Sequence, residues 1–354
     1  MQLPYADIAT RRVHRVDHQF TPRVCPSPAC PSHTGEAFQF RRKGTFDRKV
    51  DLRVVQRFKC MTCGKGFSSQ TFRVDYRLHH PWLPLGVFQG LVSKTTLRQT
   101  ARNLGCKLDT VLHHLELLGT HGREVHQAFL ARLSRSGGWK EGYFQLDELE
   151  TFELDRRLVP LTVPVLIHKK TRFVVASDTG KLPARGNLTE RDRKRKAEYE
   201  RVLGKRASES RPAVTRCFEA LRAALAPDAL FFVQTDEKRS YRPILLAVFE
   251  RQIRHQWVNS KAKRDRTNLL FPINNVLAQS RDNLSRLVRR NWGHSKLERN
   301  LGWHLAVWML YRNYVRERSV FHRRASSAQV AGVAHRRLAA RELLEWRGAI
   351  PRTA

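Results

Sequence analysis

The sequence predicts a multidomain α/β chain: a small β unit built on a metal site, an all-α helical pair, then a mixed-sheet α/β domain with a helical C-terminal extension. Three observations carry that expectation. Four of the six cysteines fall in the first 63 residues as two close pairs. Two helical patterns meet at Gly105. Beyond residue 140 the order reads three strands, helix, strand, strand, helix. A length of 354 residues allows two or three domains and a sizeable core.

The cysteine unit spans residues 20–75. Cys25 and Cys30 form Cys-x4-Cys, and Cys60 and Cys63 form Cys-x2-Cys. Two such pairs supply four thiolates to a tetrahedral zinc ion. Gly64 lets the chain turn back after the second pair. The run between the pairs alternates at Val54, Gln56 and Phe58 and has a turn signal at Lys43-Gly44, so it reads as a hairpin. The unit is therefore a zinc ribbon. Disulfides are the alternative, and they conflict with a cytosolic chain, where thiols stay reduced. Arg57 and Lys65 beside the second pair point the ribbon at nucleic acid, as positioning contacts. Cys106 and Cys217 stand alone and read as core residues.

Residues 80–120 form the helical pair. Leu97, Ala101 and Leu104 share one face, and Gly105 ends that helix. Leu108 opens another, with Val111, Leu112, Leu115 and Leu118. Small Ala101, Gly105 and apolar Val111 stand where a helix-turn-helix needs its crossing residue, turn and pin. An ordinary helical hairpin is the alternative. On the helix-turn-helix reading, Lys107, Asp109, Thr110, His113 and His114 are exposed, with Lys107, Thr110 and His113 as DNA contacts. Residues 121–140 read as a helical or loop connector, broken at Ser136-Gly137-Gly138.

Residues 140–318 form the α/β domain, and 319–354 a basic helical or disordered tail. The strands read as 143–153, two runs joined at 168–171, 230–234, and 244–250. Helices read as 190–206, 213–225, 273–290 and 296–316. The basic 190–206 helix is either a solvated face or a DNA contact. Asp147 falls on the first strand and Asp236 just past the fourth. Two carboxylates on adjacent strands can hold divalent metal for phosphoryl transfer.

Lys and Arg number 66 against 32 Asp and Glu, a net charge of +34. Self-repulsion of that size calls for a polyanion partner. A generally Arg-rich composition is the alternative, but the excess runs along the whole chain. The sequence has no signal peptide and no apolar run of transmembrane length, so a cytoplasmic protein is expected. No basic amphipathic helix with a strong apolar face points to a membrane surface. RNP-type aromatics and a GXXG loop are missing, which argues against RNA.

The chain resembles the DDE-type transposases of short bacterial insertion sequences, in particular the InsA/InsB-like group. The resemblance covers roughly residues 20–318. It rests on "RFKCMTCGKGFS", the helix-turn-helix, "LDE" at 146–148, "TDEKRSY" at 235–241 and the basic run "SRDNLSRLVRR" at 280–290. It implies an RNase H-like domain that cuts and joins DNA with Mg2+ or Mn2+. It implies DNA partners, namely terminal inverted repeats and target DNA, and a homo-oligomer assembled on DNA at the nucleoid. Asp147 and Asp236 match the first two acidic positions. At the third, the family's Ile-Glu-Arg is replaced by Ile273-Asn274-Asn275, so Asn274 takes the place of the Glu. Asp282, eight residues on, is the favoured substitute over Glu298. Without a third carboxylate the chain reads instead as a catalytically inactive, transposase-derived DNA-binding protein or repressor.

Overall fold

The computed structural model describes residues 20–34, 38–50, 53–250, 253–259, 263, 265, 267–288, 293–319 and 322–347. The chain divides into two compact units, 1–86 with 341–354, and 87–340.

In the first unit, β1 (Phe40–Arg48), β2 (Arg53–Cys60) and β3 (Gly66–Ser68) form an antiparallel sheet in that order. The expected turn at Lys43-Gly44 is instead a bulge inside β1. Arg42 pairs Phe58 and Thr45 pairs Gln56, so two β1 residues face one on β2. Gly44, at φ +71°, supplies the left-handed conformation the bulge requires, and its carbonyl accepts from Gln56 Nε2 at 2.7 Å. The strand therefore continues to Arg48, and the real reversal lies between β1 and β2. Buried Phe58 anchors the sheet, with the rings of Phe20, Phe40 and Phe67 around it.

Asp75 is the buried carboxylate of this unit among the described residues. It sits 2.8 Å from Arg73, 3.1 Å from Arg48 and 3.5 Å from Arg53, and it accepts from Gln70. Burial pushes its pKa up, but Arg73, Arg53 and Arg48 outweigh this and hold it below its ordinary value. A depressed carboxyl pKa stabilises the fold above the unfolded-state value, and that stability is lost as pH falls through the folded-state value. Asp75→Asn should cost about 3–5 kcal/mol, because three arginines lose their counter-charge. Urea midpoints against pH would test this: wild type should weaken below about pH 4, and the variant should show a flatter profile. Equal midpoints at neutral pH would contradict it.

The second unit begins within α1 (Leu83–Leu91) and continues with α2 (Leu97–Leu104) and α3 (Leu108–Arg135). Thr96 caps α2 in a reciprocal box with Gln99, and Gly105 ends it in the left-handed conformation. Ala101 and Val111 are buried as expected at a crossing. His114, expected on the surface, is buried, with its Nδ1 at 2.7 Å from the Thr110 carbonyl. It sits three residues after Val111 and four before Leu118, on the buried side of the helix with Leu115.

The expected connector at 121–140 is helical to residue 135, so α3 runs unbroken for 28 residues. The break at 136–138 is where the sequence placed it. Two glycines let α3 approach α8 (Glu298–Leu310) closely. A Cβ on Gly119 would stand 2.4 Å from Trp303 Cβ, and one on Gly122 would stand 3.0 Å from the Ala306 carbonyl oxygen. Gly119→Ala should force the helices apart and cost about 1–3 kcal/mol, read as a fall in melting temperature. An unchanged melting temperature would show that the contact yields freely.

The main sheet holds β4 (Trp139–Phe152), β5 (Pro160–His168), β6 (Phe173–Ser177), β8 (Leu225–Thr235) and β9 (Arg254–Trp257), in the order β6-β5-β4-β8-β9. The short β7 (Gly180–Lys181) pairs with β5. β4, β5 and β6 form an antiparallel meander, while β8 and β9 run parallel to β4. After α4 (Glu190–Leu203), α5 (Ser210–Ala224) packs on β5 and β6, and α6 (Tyr241–Phe249) packs on α5. On the other face, α7 (Phe271–Asn283) and α8 bury Ile273, Val276, Leu301, Leu305 and Trp308 against Leu149, Val163, Val165 and Ile167.

Segment 244–250, expected as a strand, is the body of α6. Tyr241, Ile244, Leu245, Val248 and Phe249 are all buried at helical spacing. The fifth strand instead falls on the polar run Arg254–Trp257, which pairs with β8 at the sheet edge. The expected 273–290 helix is shorter, ending at Asn283 and passing into a 3-10 turn at Ser285–Leu287. The expected break at 291–293 lies largely outside the described residues. The 296–316 helix ends at Leu310 and continues as a π-helical turn, Tyr311–Val315. In the expected tail, β10 (Glu317–Ser319) and β11 (His322–Ser326) pair, and α9 (Ser327–Val330) follows.

Candidate active site and metal centre

The four cysteines converge. Their sulfurs lie within 4.8 Å of one another, with Cys25–Cys63 at 3.6 Å and Cys30–Cys60 at 3.9 Å. A tetrahedral zinc–thiolate site needs sulfurs about 3.8 Å apart, given a Zn–S bond of about 2.3 Å. The cluster could hold zinc. Each pair is shaped by a tight turn: Cys30 N–H donates to Ser27 O at 3.0 Å, and Gly64 N–H donates to Cys60 O at 3.1 Å. Gly64 takes φ +71°, as the turn-back predicts. Burial pushes the Cys25 thiol up to about 12. Burial also opposes ionisation of Cys60, but the Cys63 and Thr62 backbone N–H groups and the neighbouring thiols bring it to about 7. Such donors aimed at sulfur suit a thiolate ligand. Cys217 is buried as expected, whereas Cys106 is only half-buried.

The residues expected to face DNA lie at the surface. Arg57 and Lys65 are exposed on the ribbon unit. Beside Arg57 an open groove of about 610 Å³ is lined by Lys43, Phe46, Phe67 and Tyr76. On the helical pair, Lys107 and His113 are exposed and Thr110 is half-buried.

The carboxylates sit at the centre of the main sheet. β4 and β8 pair in parallel with Gln145 opposite Gln234. The ladder ends there: Asp147 stands two residues further along β4, Asp236 follows the last residue of β8, and both carboxylates act on Tyr241. Side chains alternate along a strand, so Asp147 shares its face with Gln145 and Leu149. That is the face of α7, because Gln145 accepts from Ile273 N–H and donates to the Leu269 carbonyl. Gln145, Gln234 and Gln256 form a hydrogen-bonded row across three strands beneath the pair. Both aspartates are half-buried. Asp147 accepts from Glu148 N–H at 2.7 Å, and Asp236 accepts from Lys238 N–H at 3.2 Å.

Glu148 points to the opposite face. It binds Lys238, Thr162 at 2.6 Å and Ser210 at 2.8 Å. Burial raises its pKa, but these partners, Lys238 foremost, bring it below the usual value. Tyr241 lies where the charges meet: burial first, then Glu148, Asp236 and Asp147, push its phenol far up. Sequence reading missed Lys238, Ser210 and Tyr241. The signal for two of them was the run "TDEKRSY", in which only the Asp was weighed.

Asp282 is not brought to the pair. Its side chain is 73% exposed and lies 3.7 Å from Lys94 in the α1–α2 turn. α7 buries Ile273, Val276, Leu277 and Ser280 toward the sheet, and about 100° per residue puts Asp282 on the outer side. Asn275 is held by Arg172 of the β5–β6 turn at 3.0 Å. Asn274, one residue earlier on α7, is half-buried. Glu298 opens α8, half-buried among Thr179, Glu209, Lys181 and Glu153, with its carboxyl pKa raised chiefly by burial. Among the described residues, the one set of three or more metal-competent side chains gathered within 4.8 Å is the cysteine cluster.

No protein family matches the chain, and no curated protein does. Among solved structures, a simian T-cell lymphotropic virus intasome in complex with PP2A regulatory subunit B56 gamma is 9% identical, covering 55% of this chain, with a TM-score of 0.23. The chain spans 56% of the length of that intasome chain. The Mos1 strand transfer complex is 10% identical over 64% of this chain and 70% of its own, at a TM-score of 0.26. A pre-cleavage Mos1 transpososome is 12% identical over 63% and 75%, at 0.18. Likeness at that level carries no argument about this chain. No helix among the described residues is long and apolar enough to cross a membrane.

Proposed function

We propose that the chain is a DNA transposase of a bacterial insertion sequence, which binds terminal inverted repeats and carries out metal-dependent cleavage and strand transfer as a homo-oligomer on DNA. One observation supports this reading: β4 and β8 are neighbouring parallel strands, with Asp147 two residues beyond Gln145 on β4 and Asp236 two residues beyond its partner Gln234. The strand order, a meander joined to two parallel strands, supports an RNase H-like domain. The net charge of +34 supports DNA as partner.

Two such carboxylates offer the hard oxygen donors that Mg2+ or Mn2+ prefers. Ions held there would polarise the scissile phosphate and activate the attacking oxygen. Asp147 and Asp236 supply the negative charge, and Asn274 adds a neutral oxygen from α7. Lys238 keeps Glu148 turned away on the other face. Cys25, Cys30, Cys60 and Cys63 hold one structural zinc, making the first unit a zinc ribbon. Arg57 and Lys65 contact phosphates, while Lys107, Thr110 and His113 at the start of α3 meet the groove as a helix-turn-helix.

Nicking of a supercoiled plasmid with Mg2+ or Mn2+ tests the reading. Wild type and Asp282→Asn should both nick, since Asp282 faces outward. Among the described residues no third carboxylate gathers with Asp147 and Asp236 into a metal-competent set, which favours the second reading, a DNA-binding protein or repressor without catalysis. Tight binding to inverted repeats with no cleavage by wild type in either metal would establish that second reading and overturn the first.

A further inference from the structure

The π-helical turn Tyr311–Val315 lies against the edge strand β6. Asn313 pairs with both backbone groups of Val174, accepting from its N–H at 2.9 Å and donating to its carbonyl at 2.8 Å. A side-chain amide thus closes an edge that would otherwise be open. Single π turns inside α-helices recur at functional sites, and this one brings Arg312 inward.

Arg312 is fully buried. Its Nη1 donates to Ser327 Oγ at 2.9 Å, but its Nε and Nη2 have no partner. Those two N–H groups form the side-on fork of a guanidinium, the geometry that matches two oxygens of one oxyanion. Arg316, Arg172 and Arg318 all act on its charge, and all three add to the positive field. Arg316 has its own buried and unpartnered Nη1. Arg172 is spent on Asn275, and Arg318 donates to the Lys170 carbonyl at 2.7 Å. The nearby carboxylate of Glu317 is paired to Arg337 at 2.6 Å. A buried guanidinium ringed by three more is costly unless something negative joins it, and no side chain among the described residues does so.

We propose that Arg312, with Arg316, Arg172 and Arg318, forms a binding site for a phosphate oxyanion, separate from the carboxylate pair and independent of its chemistry. The oxyanion takes the Nε/Nη2 fork of Arg312 and the free Nη1 of Arg316. Arg172, Arg316 and Arg318 are half-buried, between the fully buried Arg312 and solvent. A DNA phosphodiester and free inorganic phosphate share this chemistry.

The test uses the full chain with no added divalent ion. Melting temperature is measured in sodium phosphate and in sodium chloride at equal ionic strength. Phosphate should stabilise wild type and Asp147→Ala beyond chloride. Arg312→Lys, which keeps the charge but loses the fork, should lose most of that gain, and so should Arg316→Gln at its half-buried position. Circular dichroism checks that each variant is folded, and Arg316→Gln carries the test if Arg312→Lys is not. Salt dependence of duplex DNA binding then separates the sources. If the oxyanion is a DNA phosphodiester, Arg316→Gln should reduce the slope of log K against log salt by about 0.9. An unchanged slope with the phosphate effect lost assigns the site to free phosphate. Equal melting temperatures in phosphate and chloride, or the same phosphate gain in wild type and Arg316→Gln, would overturn the proposal. Because Asp147→Ala should respond like wild type, failure here is distinct from failure of the nicking assay.

Discussion

Alanine at Asp147 or at Asp236 is expected to abolish Mg2+- or Mn2+-dependent nicking of supercoiled DNA, with a rate loss of about a thousandfold or more. The reasoning is electrostatic. Two divalent ions in one site bring four positive charges, and the pair supplies two negative ones. Removing either aspartate leaves one negative charge against four positive ones, and metal-ion stabilisation worth several kcal/mol goes with it. About 4 kcal/mol corresponds to roughly three powers of ten in rate. The two residues act on one centre, so the double variant should be little worse than either single one. Binding to duplex DNA and zinc content should stay near wild type, since both aspartates are half-buried and neither belongs to the cysteine cluster. Nicking within tenfold of wild type by either variant would place the chemistry elsewhere.

The second large effect is in the first unit. Cys60→Ser should release zinc and unfold residues 20–75 while leaving 87–340 folded. The unit has a short sheet and one ring cluster around Phe58, too little core to stand alone. In such small units metal binding is folding energy, with apparent values of about 10–16 kcal/mol. Serine keeps the volume but offers a poor ligand, and Cys25, Cys30 and Cys63 then lack the fourth corner. Native mass spectrometry should show one zinc in wild type and none in the variant. Proteolysis should clip the variant within the ribbon first. A zinc-free wild type with an intact, protease-resistant ribbon would refute the metal assignment.

The parts legible in the sequence were those fixed by spacing. The cysteine pairs, the capped helix ending at Gly105, and the meander with a fourth strand ending at Thr235-Asp236 all follow from local chemistry. Asp147 lies on β4, the first strand of the main sheet, and Asp236 just past β8, the positions expected from the sequence pattern. What escaped was decided by tertiary contact. Gly44 reads equally as a turn or a bulge, and only the pairing of Arg42 with Phe58 and Thr45 with Gln56 distinguishes them. The apolar run at 244–250 fits strand or helix by composition, and burial against α5 makes it helix. Asp282 was placed by distance along a helix, but which flank of α7 meets the sheet depended on Ile273, Val276 and Ser280 reaching it together. Glu148, adjacent to Asp147 in sequence, is turned to the opposite side by strand alternation, and Lys238 holds it there.

The unbroken α3 makes the second unit stiff along one line. Twenty-eight residues at about 1.5 Å each form a rod about 42 Å long. Lys107 and Thr110 lie at its amino end. At the start of its carboxyl third, His126 donates through Nε2 to the Val175 carbonyl at 2.9 Å and accepts through Nδ1 from the Tyr314 hydroxyl at 3.0 Å. Burial lowers the pKa of that imidazole and keeps it neutral, so the clamp holds across physiological pH. Close packing of Gly119 on Trp303 and Gly122 on Ala306 prevents the rod from sliding along α8. A torque applied at the first turn is therefore delivered to β6 and the Tyr311–Val315 turn with little lost to bending. The amino end of α3 is thus geared to the sheet whose β4 carries Asp147.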